Sequence, residues 1–390
     1  YSDRQSDATI SDNVPDAFRT ANNRDKDGYF SNTGLTRGNP IDRQCDINAN
    51  IGGPLWKQKA WFFYSYRLND QYKYTLGLDK LARSKLTNPY TFKGTFQLNR
   101  NNQVIGFLNK REKLQELRDL GPLVPISAAR YQSSRNYPWK VEWTSVLGSR
   151  AFLDVLYANW YNFFPLEPTD TKGFATDVVP GRIDTANSQR TGYHDSYQDQ
   201  KRYKPQVYAA LTYFKDGLAG SHDFKVGYDW KRDRRLFTRP QPGNIFYRDL
   251  NGGVNELELY NSPNTSINSV VYNAVHLSDT WKVADRVTLN LGARYERYVD
   301  GFPDQEFTPE GHSMLAGWTD ARYQGFIAPV TVSAREVSSS QTLSPRLGVA
   351  YDLTGDNRTV LKAYVGRFYF NSADTLSDLE NPVGSARLRY

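Results

Sequence analysis

Short and long connections alternate along most of this chain, and this alternation restricts its fold more than any other feature. Six pairs of strand-like segments are each joined by a short polar or glycine-containing turn, such as "RNN" at 100–102, "GSR" at 148–150 and "ADR" at 284–286. The connections between pairs are long, at residues 70–90, 113–136, 165–203, 233–270 and 299–342. Short turns at one end of a sheet and long loops at the other are typical of a transmembrane β-barrel.

Alternation within the strands indicates the same fold. In residues 224–230, 287–295 and 345–353, apolar side chains occupy every second position and polar or small residues lie between them. Aromatic residues gather near strand ends, for example Trp281, Tyr295 and Tyr298, where a membrane-interface girdle would lie. Segments of about 9–12 residues can cross a bilayer as tilted strands. We predict an all-β fold: an antiparallel transmembrane β-barrel segment of about 12 strands, with short periplasmic turns and long extracellular loops.

Composition fits this fold and excludes several others. The chain has 27 Tyr, 20 Phe and 8 Trp but one Met, a bias that suits pleated sheets. Its single cysteine, Cys45, excludes an intrachain disulfide and a cysteine-cluster metal site. The net charge is +7, but basic and acidic residues are interspersed, so we expect no nucleic-acid partner. No apolar stretch reaches the roughly 18 residues that a transmembrane helix needs.

The pattern divides the chain into three regions. Residues 1–45 and 371–390 are predicted to be extracellular loop regions, and residues 46–370 a partial β-barrel of six hairpins. Leu114, Leu117 and Leu120 have helical spacing, so we predict one or two helical turns at 111–120, inside a loop. A soluble sandwich or propeller could share the strand alternation, but a propeller's repeat of about 40–50 residues is not found.

Several residues lie on the polar register of the predicted strands. Because a charge facing lipid is costly, we expect these side chains to face the barrel lumen. The candidates are Trp61, Phe63, Arg67, Lys225, Asp229, Arg294, Glu296, Arg346 and Asp352. For each of them, simple hydration in a wide lumen is the alternative.

Two long loops combine aromatic and polar residues. The loop at 238–250 contains Tyr247 and Arg248, and the loop at 301–326 contains Trp318, Asp320, Arg322 and Tyr323. Aromatic rings beside polar groups suit the capture of a sugar or a peptide, and loops on a rigid scaffold often carry binding sites. The alternative is that these rings only pack the loops.

Catalytic and metal sites are weakly indicated. His276, Ser278 and Thr280 share one strand face, but a hydrolase also needs an orienting partner aimed at the same site. His194, His222 and His312 lack zinc-ligand spacing. The segment 23–28 resembles the start of a calcium-binding EF-hand loop, yet the position of its bidentate glutamate is Gly34. We therefore predict no catalytic residue, no metal site and no cofactor in this chain.

Four segments resemble the TonB-dependent outer-membrane receptors, especially their Oar-like branch. They are "IGGPLWKQKAWFFYSYR" at 51–67, "HDFKVGYDWKR" at 222–232, "LSDTWKVADRVTLNLGARYE" at 277–296 and "SPRLGVAYDLTGDNRTVLKAYVGRFY" at 344–369. The resemblance implies a barrel of about 22 strands with a plug domain in its lumen. It also implies outer-membrane lipid and the TonB energy-coupling complex as partners. We see neither plug nor TonB box here, and expect an internal fragment of the barrel.

Function is predicted from this resemblance. We expect part of an outer-membrane receptor that imports a nutrient, whether a small solute, an oligosaccharide or a peptide. One alternative is an Oar-like barrel whose role is adhesion or envelope organisation. Another is a secreted soluble protein that binds carbohydrate. If the chain is part of a receptor, the residues predicted to face the lumen, which include Trp61 and Phe63, are candidates for contact with the plug.

Overall fold

The computed structural model describes residues 41–75, 81–175, 179–312, 315–369, 374–384 and 387–390. Strands account for most of these residues, which confirms the all-β prediction. Twelve strands form one antiparallel sheet, called the wall from here on, in which every strand pairs with the next wall strand along the chain.

The strands are β1 (Ile41–Trp56), β2 (Ala60–Tyr74), β3 (Leu81–Asn99), β4 (Asn102–Arg118), β5 (Arg130–Leu147), β6 (Ala151–Pro168), β7 (Gly181–Asp184), β8 (Arg190–Thr191), β9 (Gln198–Asp216), β10 (Ser221–Arg239), β11 (Ile245–Leu250), β12 (Gly253–Tyr260), β13 (Asn264–Ala284), β14 (Val287–Phe302), β15 (Gln305–Phe307), β16 (Val330–Val332), β17 (Arg335–Asp352), β18 (Val360–Gly366) and β19 (Arg387–Arg389). The wall order is β1-β2-β3-β4-β5-β6-β9-β10-β13-β14-β17-β18. A second sheet has the order β19-β12-β11-β7-β8, and β15 pairs with β16.

Short helical segments lie in the long connections and near the end of the chain. Two α-helices span Ala321–Phe326 and Thr375–Glu380, and 3₁₀ turns span Asp170–Lys172, Pro242–Asn244 and Pro382–Gly384. No described helix is long and apolar enough to cross a membrane. We call the second sheet, β15, β16 and the two helices together the extracellular layer.

The wall has two chemically different faces, because directly opposite residues on neighbouring strands point the same way. Asp229 lies opposite Tyr208 and Ala274, and Ala274 lies opposite Glu296. This inner face also holds buried small residues, Ala158 and Ala210 among them. The outer face carries large exposed apolar side chains, including Tyr157, Leu211, Val226, Leu277 and Leu347. An exposed apolar outer face is what contact with lipid requires.

The helix predicted at 111–120 is wrong. Strand β4 continues to Arg118, with Glu112 opposite Arg135 and Leu114 opposite Ser133. The three leucines have helical spacing, but β4 is hydrogen-bonded to β3 on one side and β5 on the other. A helix as short as ten residues is marginal in water, so pairing on both edges outweighs the local pattern.

Every wall strand except β18, which has seven residues, also extends further than the predicted 9–12 residues. Strand β9 has 19 residues and begins at Gln198, and β13 has 21 residues and begins at Asn264. The connections are shorter in consequence, and β3 begins at Leu81, within the connection predicted at 70–90. The apolar–polar alternation ends where the outer face leaves lipid, whereas the backbone ladder continues beyond that point.

The short turns fit tight reversals of the chain. Gly148, Gly217 and Gly220 have positive φ values of 67°, 77° and 122°. A β-carbon at Gly220 would lie 2.2 Å from the backbone oxygen of Lys282. Glycine tolerates both conditions because it has no side chain. The turn between β9 and β10 therefore depends on its glycines.

Both ends of the described chain form strands that pair with the rest of the structure. Strand β1 begins at Ile41, inside the region predicted as a loop at 1–45, and β19 pairs with β12 within the region predicted as a loop at 371–390. The calcium-loop-like segment at 23–28 lies outside the described residues.

Candidate solute-binding site

Three of the residues predicted to face the lumen meet in one network on the inner face. Arg294 Nη2 lies 2.8 Å from Asp229 Oδ2, and Arg294 Nε donates to Glu296 Oε1 over 2.8 Å. Arg294 Nη2 also donates to the hydroxyl of Tyr272 over 2.6 Å, and that hydroxyl donates to Glu296. The guanidinium therefore holds two carboxylates together across β10, β13 and β14.

His276 belongs to the same network. Its Nδ1 lies 3.3 Å from Arg294 Nη1 and 3.7 Å from Asp229 Oδ2, and its ring stacks on Tyr208 with centroids 6.1 Å apart. No hydrogen bond joins His276 to Ser278, and both residues are described. The arrangement therefore lacks the nucleophile–base contact that hydrolysis by a serine would use.

The other lumen candidates are placed more loosely. Trp61 and Phe63 lie opposite Thr95 and Lys93 of β3. Followed from strand to strand, these two rows of paired residues reach Asp229 and Tyr272 on the inner face. Arg67 donates to Asp46 over 3.2 Å.

The remaining three candidates lie on β10 and β17. The charged groups of Lys225 and Arg346 sit 5.9 Å from the ring of Tyr208 and 5.0 Å from that of Phe368, respectively. Asp352 is occupied at a turn, where its carboxylate accepts backbone N–H groups of Thr354, Gly355 and Asn357.

The two loops selected from the sequence pack together in the extracellular layer. Tyr323 is 2% exposed and packs with Ile245 and Leu259 of the second sheet. Trp318 lies between Tyr323 and Tyr390, with ring centroids 5.3 Å and 4.9 Å away. Much of this aromatic surface is therefore used in loop packing.

The polar candidates of these loops are also engaged. Asp320 caps the helix at Ala321–Phe326 by accepting from the Tyr323 N–H, and it accepts from the Tyr390 hydroxyl over 2.5 Å. Arg322 lies 4.4 Å from the centre of the Tyr390 ring. Tyr247 is covered by Arg182 at 4.7 Å.

A buried carboxylate organises the opposite side of the second sheet. Glu258 is fully buried, and Arg248 Nε and Arg389 Nε each lie 2.8 Å from its Oε1. The Tyr260 hydroxyl donates to Glu258 over 3.0 Å, and Arg387 lies 3.9 Å away. Arg248, a predicted ligand residue, thus shares one carboxylate with β19.

A cavity of about 510 Å³ opens between this side of the second sheet and the end of β10. Its lining combines aromatic and charged residues: Tyr197, Phe237, Arg239, Tyr260, Asp378 and Arg387. Arg239 Nη2 donates to Asp378 over 3.0 Å, which fixes the helix at Thr375–Glu380 to the wall. Rings beside hydrogen-bonding groups give the cavity the chemistry of a site for a polar solute.

Burial and neighbouring polar groups together set the charge states within the cavity. Burial raises the pKa of Tyr197 and of Tyr260, so both phenols stay protonated at neutral pH. Burial would also raise the pKa of Asp195, but His194 at 3.0 Å and Arg190 at 2.9 Å hold it well below its ordinary value. The cavity therefore offers neutral hydroxyls, carboxylates and guanidinium groups together.

Sequence reasoning missed most of this cavity. Arg239 lies inside the loop selected at 238–250, but its partner Asp378 follows 139 residues later. No local spacing signals such a contact. Among the described residues, no group of three or more His, Cys, Asp or Glu is placed to hold a metal ion.

Comparison with known proteins agrees with the presence of the wall and its apolar outer face. Residues 79–387 match a family described as an outer membrane beta barrel domain. The chain belongs to this family. The barrel accordingly lies in the outer membrane, and the soluble secreted alternative is set aside. A search of curated proteins found no match.

Solved structures share the fold of this outer membrane barrel at low identity. The alcaligin outer membrane receptor FauA from Bordetella pertussis is 10% identical, with a TM-score of 0.52 over 81% of this chain and 40% of its own. The outer membrane transporter YddB from Escherichia coli is 11% identical, with a TM-score of 0.51 over 84% and 46%. The ferric-catecholate import receptor Fiu from Escherichia coli is 12% identical, with a TM-score of 0.52 over 84% and 49%. This chain thus spans less than half the length of each.

Proposed function

We propose that this chain forms part of the barrel of a TonB-dependent receptor of the Oar-like branch, which imports a nutrient across the outer membrane. The wall strands between Ile41 and Gly366 supply the partial barrel, and the described residues that follow them belong to its extracellular face. A plug domain and the TonB complex would be partners of the whole protein.

The cavity between the second sheet and β10 is the observation that carries this proposal. It lies at the extracellular end of the wall, where a solute arrives, and its lining mixes aromatic rings with arginine and aspartate side chains. A barrel with only a structural role would not require a polar cavity of about 510 Å³ under the extracellular layer. The shared fold with receptors and transporters adds support.

The network around Arg294 would serve as a contact for the plug domain in the same receptor. It presents two carboxylates and a guanidinium on the inner face, below the cavity. A plug domain could pair with these charged groups. It could also contact Trp61 and Phe63, which lie nearer the periplasmic turns. The loop residues Trp318, Asp320, Arg322 and Tyr323 then support the cavity rather than touch solute.

The experiment compares uptake by strains with and without the full-length protein. Growth on ferric chelates, oligosaccharides and peptides as limiting nutrients identifies the solute, and binding to the purified protein follows. Loss of growth on one nutrient class supports import. Normal uptake of all of them, with altered adhesion or envelope integrity, would favour the alternative role.

Arg387→Gln tests the cavity itself. Arg387 lines the cavity with a side chain that is 42% exposed, so we expect the change to weaken solute binding about tenfold by removing a charge-assisted contact. Arg389→Gln is the matched control, because Arg389 shares the partner Glu258 but does not line the cavity. Equal losses in both variants would show that the effect is structural and would contradict the cavity's role.

A further inference from the structure

The outer face of the wall changes character near its extracellular end. Tyr228 and Tyr295 are exposed there, and their hydroxyls donate to Asn273 and Gln341 over 2.8 Å each. Rings with a polar tip are typical of the membrane–water interface. These two tyrosines mark the level at which the lipid chains end and the headgroups begin.

Three exposed arginines lie just beyond that level on the same face. Arg297 follows Tyr295 by two residues, and Arg232 and Arg234 follow Tyr228 by four and six. Arg234 lies opposite Tyr203 and Ser269, and Arg232 lies opposite Val271, which places both on the outer face. At about 3.4 Å per residue, the side chains reach the headgroup region rather than the lipid chains.

These arginines lack anionic partners within the described part of the chain. No carboxylate there lies within ion-pair distance of Arg232, Arg234 or Arg297, whereas Arg294 on the inner face contacts two. The one described hydrogen bond of this group runs from Arg232 Nε to Ser269 Oγ over 3.0 Å. An outward-facing guanidinium cluster of this kind is open to an external anion.

A groove of about 310 Å³ lies beside the arginines. Val271, Val299 and Pro303 form its apolar part, and Arg232, Arg335 and Glu336 are its charged lining residues. Arg335 is the groove's other cation and lies 3.5 Å from Glu380. Two carboxylates oppose the three outward arginines: that of Glu336, and that of Asp304, which accepts from the Ala334 N–H at the groove. The neighbourhood stays positive, so a molecule with an apolar part and a phosphate is complementary to it.

We propose that this outward groove and its arginines bind the phosphate group of a phosphorylated glycolipid in the outer leaflet of the membrane. The planar guanidinium suits bidentate contacts with phosphate oxygens. The apolar floor would lie against the first carbons of an acyl chain. The site is separate from the solute cavity, because it faces the opposite side of the wall.

The test measures lipid binding to the full-length protein in detergent by native mass spectrometry. The probes are bisphosphorylated lipid A, the same lipid with both phosphates removed, and inorganic phosphate as a competitor. We expect Arg232→Gln/Arg234→Gln to bind bisphosphorylated lipid A about tenfold more weakly than the wild type. Arg297→Gln alone should give a smaller loss in the same direction.

Lys215→Gln is the matched control, since Lys215 lies opposite His222 near the periplasmic turn, far from the groove. It should bind the lipid as the wild type does, and all variants should keep the wild-type unfolding midpoint. Unchanged binding by the double variant would overturn the proposal. So would equal binding of the dephosphorylated lipid, or displacement of the lipid by equimolar inorganic phosphate, which would indicate a free-anion site.

Discussion

Replacing Arg294 with methionine is expected to lower the free energy of unfolding of the barrel by about 2–3 kcal/mol. Asp229 and Glu296 would keep their negative charges within a partly buried site and lose the cation between them. The side chains of Arg294, Asp229 and Glu296 are 20%, 27% and 12% exposed, so solvent compensates only in part. The value lies below the cost for a fully buried pair because the inner face is polar.

Urea unfolding of the full-length protein refolded in lipid vesicles measures this effect. Lys225→Met is the matched control, because Lys225 lies on the same face and has a ring contact at 5.9 Å but no ion pair in the described chain. A loss for Arg294→Met no larger than that for Lys225→Met would show that the network adds nothing to stability.

The double variant Arg294→Met/Glu296→Gln separates the pair from its parts. Removing both charges leaves fewer unpaired groups than removing one, so the double variant should be more stable than the sum of the single losses predicts. We expect a coupling energy of about 1–2 kcal/mol. Strictly additive losses would mean that Arg294 acts mainly through Asp229 and Tyr272.

The sequence was sufficient to predict the wall. A side-chain period of two separates Arg294 and Glu296 from Leu291 and Tyr295, so the face of each residue follows once a strand is recognised. The short turns and long loops then order the hairpins. The resulting rows of paired residues leave only β13 between Asp229 and Glu296, although 67 positions separate these two residues in the sequence.

The extracellular layer could not be predicted in the same way. Its strands are short, β19 has three residues, and the pairing of β19 with β12 brings Arg389 to Glu258 across 131 positions of sequence. The sequence marks Trp318 and Tyr323 as candidates, but it does not predict their packing on Ile245 and Leu259. Leu114 and Leu117 of β4 show the reverse case, because their local spacing predicts a helix whereas the strand is paired with β3 on one edge and β5 on the other.

Replacing Glu258 with glutamine is expected to lower the free energy of local unfolding of the second sheet by about 2–3 kcal/mol. Arg248, Arg389 and Arg387 would then surround a neutral amide, whose oxygen can still accept from Arg248 and Arg389 over 2.8 Å but without the charge assistance of a carboxylate. Amide hydrogen exchange in β11, β12 and β19 measures the change, because a local opening of this layer need not alter unfolding of the whole barrel. Glu256→Gln is the control on the same strand, two residues away, and no ion pair is described for it.

Acid pH should weaken the same sheet in the wild type. Burial would raise the pKa of Glu258, but the hydrogen bond and charge of Arg248, with Arg387, hold this pKa below its ordinary value of 4.5. A carboxylate with a lowered pKa stabilises the fold above pH 4.5, and this stability is lost as the pH falls through the lower, folded-state value. Exchange protection, corrected for the intrinsic pH dependence of exchange, should therefore decline below about pH 4.5 in the wild type and in Glu256→Gln, but less in Glu258→Gln. A decline of equal size in all three proteins would assign the acid sensitivity to other groups, among them Asp195, whose pKa is also lowered.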